Sequence, residues 1–109
     1  MKKFIVFSLA LLAAGAVSAR AAEAKEIWAK ECAKCHGADG KGKTTMGKKL
    51  EVKDYSDPKN HADLKDEKMA KSIKEGIKDG DKTRMKAFGE MLSDSEVKAL
   101  IAYFRGLKK

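Results

Sequence analysis

Apolar residues near the C-terminus recur at the spacing of an α-helix and give the clearest element of the sequence. Over residues 94–107 they lie three or four positions apart, at Val97, Leu100, Ile101, Phe104 and Leu107. Ser93 and Glu96 form the capping box that typically begins a helix. The pattern predicts an amphipathic helix over 94–107 with one face in the core.

Two earlier segments also have helical spacing. Residues 22–35 are rich in helix-forming residues, with apolar side chains three to four positions apart. Residues 64–76 place Met69 and Ile73 one turn apart, with acids early, lysines late and a glycine at the end. Both segments are therefore predicted to be helices.

The chain between these helices is predicted to be loop. Four glycines between residues 37 and 47 argue against regular structure, and residues 55–58 have the composition of a turn. The weak alternation over residues 50–55 has no partner strand elsewhere in the sequence. The predicted fold class is thus all-α, with helices at both ends and glycine-rich loops between them.

The first 21 residues have the layout of a secretory signal peptide. A basic start precedes an apolar run over residues 4–17, and small residues surround a cleavage point after Ala21. This run of 14 residues is shorter than the roughly 20 that a membrane-crossing helix needs. We expect residues 1–21 to be removed on export, residues 22–109 to form one domain, and the mature chain to have no membrane span.

The size and charge of the mature segment limit its partners. Its 88 residues are barely enough for a hydrophobic core alone, so an additional stabilising group is expected. Cleavage would leave 21 of the 24 basic residues against 16 acidic ones, a net charge of +5. The lysines are scattered among acids, without the basic run typical of nucleic-acid binding. We expect a monomer with acidic protein partners and no nucleic acid.

Both cysteines and one histidine stand together as C-x-x-C-H. A disulfide between Cys32 and Cys35 would close a tiny loop, and a thioredoxin-like pair belongs beside a strand-helix-strand pattern that is missing here. A zinc site needs four ligands, for which only His36 and His61 remain. Covalent haem attachment alone explains the adjacent histidine, because two thiols three residues apart project from one side of a helical turn. The motif predicts one covalent haem c on Cys32 and Cys35.

Further stretches share a family pattern with this motif. They are IWAKECAKCHGADGKGK at 27–43, DYSDP at 54–58, DEKMAKSIKEGI at 66–77 and MKAFGEMLSDSEVKALIAYFRGL at 85–107. In these stretches the chain resembles the small soluble monohaem class I c-type cytochromes of bacteria. The resemblance implies that His36 and Met85 are the axial iron ligands and that the terminal helices cross beside the haem. It also implies a periplasmic electron carrier, not an enzyme, whose partners are dehydrogenases, reductases or terminal oxidases.

The chain departs from this family pattern at three points. Lys86 stands where the family usually has a proline after the methionine, and Ala24 stands where a glycine often lets the terminal helices touch. No proline follows the attachment site to present a carbonyl to the inner nitrogen of His36. These departures bear on the rigidity of the Met85 loop and on the tuning of His36.

Other residues are alternative sixth ligands. Met46 and Met91 lie in predicted loops, whereas Met69 is predicted to pack in a helix. His61 has polar neighbours, which predict a solvated surface residue. If Met85 were displaced, five-coordinate iron could act as a peroxidase-like enzyme or bind a small gas. A third alternative is a subunit that serves one fixed dehydrogenase or oxidase.

Overall fold

The computed structural model describes residues 20–109. The predicted signal peptide lies outside this range except for residues 20 and 21, so its cleavage stays a prediction. Helix α1 is described from residue 20, with residues 20–27 helical. It continues through a π-helical turn, Trp28–Cys32, and ends in an α-helical turn, Ala33–His36.

Four more helices and one hairpin follow α1. The helices are α2 (Thr45–Lys49), α3 (Lys59–Ala62), α4 (Asp66–Glu75) and α5 (Asp94–Arg105). The antiparallel strands β1 (Ile77–Asp79) and β2 (Lys82–Met85) form the hairpin between α4 and α5. The three predicted helices are confirmed, with ends within two residues of those expected for α4 and α5.

The hairpin corrects the all-α prediction, because it adds a small two-stranded sheet. The prediction of loop between the first helix and α4 is wrong at α2, which has Gly47 inside it, and at α3. Thr44 caps α2 by accepting a hydrogen bond from the backbone N–H of Gly47. A Cβ at residue 47 would collide with the carbonyl oxygen of Cys35, so this glycine permits a close approach of two helices.

The core lies where α1, α4 and α5 meet. Trp28 of α1 packs against α5, with ring centroids 5.7 Å from Tyr103 and 6.3 Å from Phe104. Ala24 is 1% exposed, so a methyl group fits at the position where the family often has glycine. The capping box of α5 is present, with Ser93 and Glu96 each bonded to the other's backbone N–H. Local signals thus begin α5 and its apolar stripe fixes the face that it buries.

Residues 20–109 include no helix with both the length and the apolar character that crossing a bilayer requires.

Candidate functional site

A cleft with largely apolar walls opens between α1, α4, the hairpin and α5. Its apolar lining includes Trp28, Leu64, Met69, Ile73, Phe88, Leu92, Leu100, Ile101 and Phe104. The charged residues along it, Glu31, Lys53 and Lys68, are exposed and lie towards solvent. The interior of the cleft is therefore apolar and its rim is charged. Such a site suits a large planar apolar cofactor that carries polar groups at one edge.

The structure places Cys32 on this cleft, whereas Cys35, one turn later, is half-buried and does not line it. Both thiols are free. Burial, with smaller contributions from Glu31 and Cys35, raises the pKa of Cys32 to about 11. The Cys32 thiol is thus protonated at neutral pH, which disfavours disulfide exchange.

His36 also lines the cleft, between two aromatic rings. Its ring centroid lies 5.5 Å from that of Trp28 and 6.0 Å from that of Tyr55. Burial lowers the pKa of His36, so the neutral imidazole is favoured, and this is the form that coordinates a metal. Its Nδ1 atom is buried without a hydrogen-bond partner, in agreement with the missing proline carbonyl.

Neighbouring backbone groups hold the turn that carries the cysteine motif. The Thr44 hydroxyl donates to the Cys35 carbonyl at 2.9 Å, and the Gly42 N–H donates to the His36 carbonyl at 2.8 Å. The Trp28 indole N–H donates to the Gly37 carbonyl at 3.0 Å. Because these bonds satisfy the last carbonyls of α1, the His36 ring is presented by a fixed backbone.

Met85 reaches the same cleft from the end of β2, where it is half-buried. A Cβ at Gly76 would lie only 2.6 Å from the Met85 carbonyl oxygen, so glycine lets the strand pass close to the end of α4. Beyond Met85, the Phe88 and Gly89 N–H groups donate to carbonyls of α4 at 2.8 and 3.0 Å. The cleft therefore brings Met85 together with Cys32 and His36.

The other methionines differ in their distance from the cleft. Met46 and Met91 are 39% and 53% exposed and do not line it. Met69 does line it and is 6% exposed, packed with the core of α4. Exposure thus argues against the two loop methionines, and the cleft contains two thioethers, Met69 and Met85.

The prediction that His61 is a solvated surface residue is wrong. Its side chain is 5% exposed, its Nε2 lies 2.6 Å from the Tyr55 carbonyl oxygen, and its ring centroid lies 4.7 Å from that of Phe104. Arg105 from α5 lies 3.3 Å from its Nδ1. Phe104 and Arg105 are distant from His61 in sequence, so polar neighbours along the chain were no guide to its burial. His61 does not line the cleft, and it stabilises the loop behind Tyr55.

Arg105 is a residue whose role sequence reasoning missed. Its guanidinium donates to the His61 carbonyl at 3.2 Å, to the Asp66 carboxylate at 2.9 Å and to the Leu64 carbonyl. A single arginine at the end of the amphipathic helix was the available signal, because the guanidinium can serve several acceptors at once. It fastens the loop before α4 to α5.

The residues of the cleft fit a haem better than a bare metal ion. Within residues 20–109, no three or more His, Cys, Asp or Glu side chains cluster as metal ligands, so the zinc alternative has no support. The Cys32 thiol, an imidazole without a hydrogen bond and a thioether border apolar walls, and Cys35 lies one helical turn from Cys32 outside this lining. This donor set fits a covalently bound haem c.

Comparisons with known proteins agree with this fit. Residues 19–104 match the family described as "Cytochrome C oxidase, cbb3-type, subunit III". Among solved structures, the "KustC0563 c-type cytochrome" is similar, with a TM-score of 0.70 and 34% sequence identity. The match covers 78% of this chain and 96% of that one. No curated protein sequence matches significantly.

Proposed function

Since the chain belongs to the cbb3-type cytochrome c oxidase subunit III family and is a small c-type cytochrome with a cytochrome c-like fold, we propose that it is a periplasmic electron carrier. Membership implies a covalently bound haem c and electron transfer through it. The proposal adds that there is one haem, that Cys32 and Cys35 attach it, and that His36 and Met85 ligate its iron. The N-terminal signal pattern supports the periplasmic location.

One observation carries the proposal: a single apolar cleft collects Cys32, His36 and Met85. Cys32 and His36 lie on α1 and Met85 lies on β2, and His36 and Met85 are 49 positions apart in the sequence. Local sequence cannot bring an imidazole and a thioether to one cavity, so their meeting there follows from the fold. The adjacent Cys35 completes the attachment motif from the next turn of the helix.

Each proposed residue has a distinct chemical role. Each thiol would add across a vinyl group, forming one sulfur–carbon bond while its hydrogen passes to the neighbouring vinyl carbon, so no oxidant is consumed. His36, kept neutral by burial, offers a nitrogen lone pair, and Met85 offers a soft thioether that favours reduced iron. When bound, the haem iron takes up and releases one electron between its ferric and ferrous states.

The walls of the cleft suit electron transfer more than catalysis. Aromatic and aliphatic side chains exclude water, which keeps charge rearrangement small when the iron changes its oxidation state. The charged residues along the cleft, Glu31, Lys53 and Lys68, are exposed at its rim, where they are not held against a substrate. We therefore propose a carrier and not an enzyme, with both axial positions filled by protein ligands.

Expression with a haem-attachment system tests the proposal. The intact mass should correspond to the chain without residues 1–21 plus a single haem. The oxidised protein should show the weak far-red absorption band of methionine ligation. A mass equal to the bare polypeptide contradicts haem attachment, and a missing far-red band favours the five-coordinate enzyme or gas-binding alternative.

The exposed lysines around the two ligand-bearing segments support acidic redox proteins as partners. The exposed lysines are Lys30, Lys34, Lys41, Lys43, Lys82 and Lys86. Arg84, which lies between Lys82 and Lys86 in the sequence, is half-buried and donates to the Leu50 carbonyl, so it contributes less to this positive surface. The family description names an oxidase subunit, which makes an oxidase one candidate partner.

The electron-transfer rate with an acidic partner should fall as salt is added. Raising the ionic strength from about 0.01 to 0.1 M shortens the Debye length from about 30 to 10 Å, and we expect the second-order rate to drop about tenfold. Stopped-flow reduction by an acidic donor protein measures this. Lys34→Gln should reduce the salt dependence more than Lys98→Gln, a matched loss of charge on the exposed side of α5. Salt-independent rates would contradict steering by these lysines.

A further inference from the structure

Arg84 occupies a β-bulge immediately before Met85. In the hairpin, Ile77 pairs with Met85 whereas the next residue, Lys78, pairs with Thr83, so Arg84 is the residue left without a partner. A bulge turns its extra residue away from the ladder and can aim the side chain at a neighbouring segment. The β-bulge thus lies directly beside Met85, the proposed iron ligand.

The Arg84 side chain reaches a separate part of the fold. Its Nη2 donates to the Leu50 carbonyl at 2.8 Å and lies 3.8 Å from a carboxylate oxygen of Glu51. Leu50 and Glu51 follow directly after α2, and Glu51 has a φ of 57°, a left-handed conformation that costs a non-glycine residue energy. A glutamate in this conformation keeps a carboxylate beside the guanidinium.

This contact joins the two walls that carry the proposed ligands. Helix α2 belongs to the wall of Cys35 and His36, because the Thr44 hydroxyl donates to the Cys35 carbonyl. Met85 belongs to the other wall, whose backbone bonds run to β1 and to the end of α4. In the described part of the chain, no hydrogen bond other than that of Arg84 links the hairpin to the segment around α2.

We propose that Arg84 is a positioning residue that ties the Met85 strand to the His36 wall and so holds the thioether within reach of the iron. The inference rests on the proposed His36 and Met85 ligation. Tying the strand reduces the freedom of Met85 to swing away, which raises its effective concentration against an external ligand. Lys86 follows Met85 without the fixed backbone of a proline, so a tether at the residue before Met85 adds restraint to that of the Phe88 and Gly89 backbone bonds.

Competition with imidazole tests the tether on the ferric haem protein. Arg84→Gln removes the charge-assisted hydrogen bond, and we expect the apparent dissociation constant for imidazole to fall about tenfold. Lys82→Gln is the matched control, because it removes one positive charge from an exposed position on the same strand. Its imidazole affinity should stay within about twofold of the wild type. Arg84→Lys replaces the planar guanidinium with a single ammonium group and should give an intermediate dissociation constant for imidazole.

The spectra separate failure of the tether from failure of the ligand assignment. Without imidazole, wild type and the Arg84 variants should all keep the far-red band, since Met85 still binds. Equal imidazole affinities for Arg84→Gln and Lys82→Gln would overturn the tether and leave the ligand assignment intact. A wild-type protein without the far-red band would overturn the ligand assignment and the tether with it.

Discussion

Replacing Met85 with alanine should lower the reduction potential by on the order of 0.1 V or more and abolish the far-red band of the oxidised protein. The thioether stabilises ferrous iron, and alanine offers no donor atom in its place. Met85 lies on the cleft and is half-buried, so truncation should open a coordination position without dismantling the core. A redox titration and an absorption spectrum give both results, and added imidazole should now bind readily.

Two methionines serve as controls for this substitution. Met91 is 53% exposed and outside the cleft, so Met91→Ala should leave the potential and the band unchanged. Met69 lines the same cleft but is 6% exposed, so Met69→Ala should cost about 2–5 kcal/mol of folding free energy while the band remains. A band that survives in Met85→Ala and disappears in Met69→Ala would assign the sixth position to Met69.

Arg105→Gln should lower the free energy of unfolding by about 2–4 kcal/mol. The substitution removes a guanidinium that serves the carbonyls of His61 and Leu64 together with the Asp66 carboxylate. His61 is 5% exposed, so its Nδ1 would lose its donor in a region that water does not readily reach, and the Leu64 carbonyl would lose the guanidinium. Equilibrium unfolding in urea measures the loss.

Lys108→Gln is the matched control for Arg105→Gln. It also removes one positive charge near the end of α5, but Lys108 is exposed. We expect it to change stability by less than about 0.5 kcal/mol. Arg105→Lys should recover only part of the loss, since one ammonium cannot serve three acceptors in the plane of the guanidinium. Equal stabilities for Arg105→Gln and Lys108→Gln would contradict the role of the hydrogen-bond network.

The sequence predicts those parts of the fold that local signals determine. The capping box and apolar stripe fix α5, and the glycine after Glu75 ends α4 close to the predicted position. The cysteine motif predicts three site residues because its chemistry is contained in five positions. Met85 is different, since its candidacy rests on a family resemblance and on a fold that brings distant segments together.

The errors arise where long-range contacts override local composition. His61 is buried because Tyr55, Phe104 and Arg105 surround it, and Arg105 lies 44 positions away. The hairpin escapes detection because β1 is fully exposed and one strand pair gives no alternation of buried and exposed residues. In α2, Gly47 is a packing residue and not a turn residue, which only its contact with Cys35 reveals.

The π-helical turn in α1 determines how far the two halves of this helix are rotated relative to each other about the helix axis. A π turn holds one residue more than an α turn, which offsets the two halves by about 100° around the helix axis. One pair, Ala24 and Trp28, is buried in the core before and at the start of the π turn, and Trp28 also borders the cleft; the second pair, Cys32 and His36, lines the cleft from the end of the turn onwards. Deleting one residue between these pairs would restore a regular helix but rotate the cysteine motif away from the cleft. The number of residues between these two pairs is therefore constrained. An insertion or deletion there would misplace the cysteine motif, even at a position where a substitution would be tolerated.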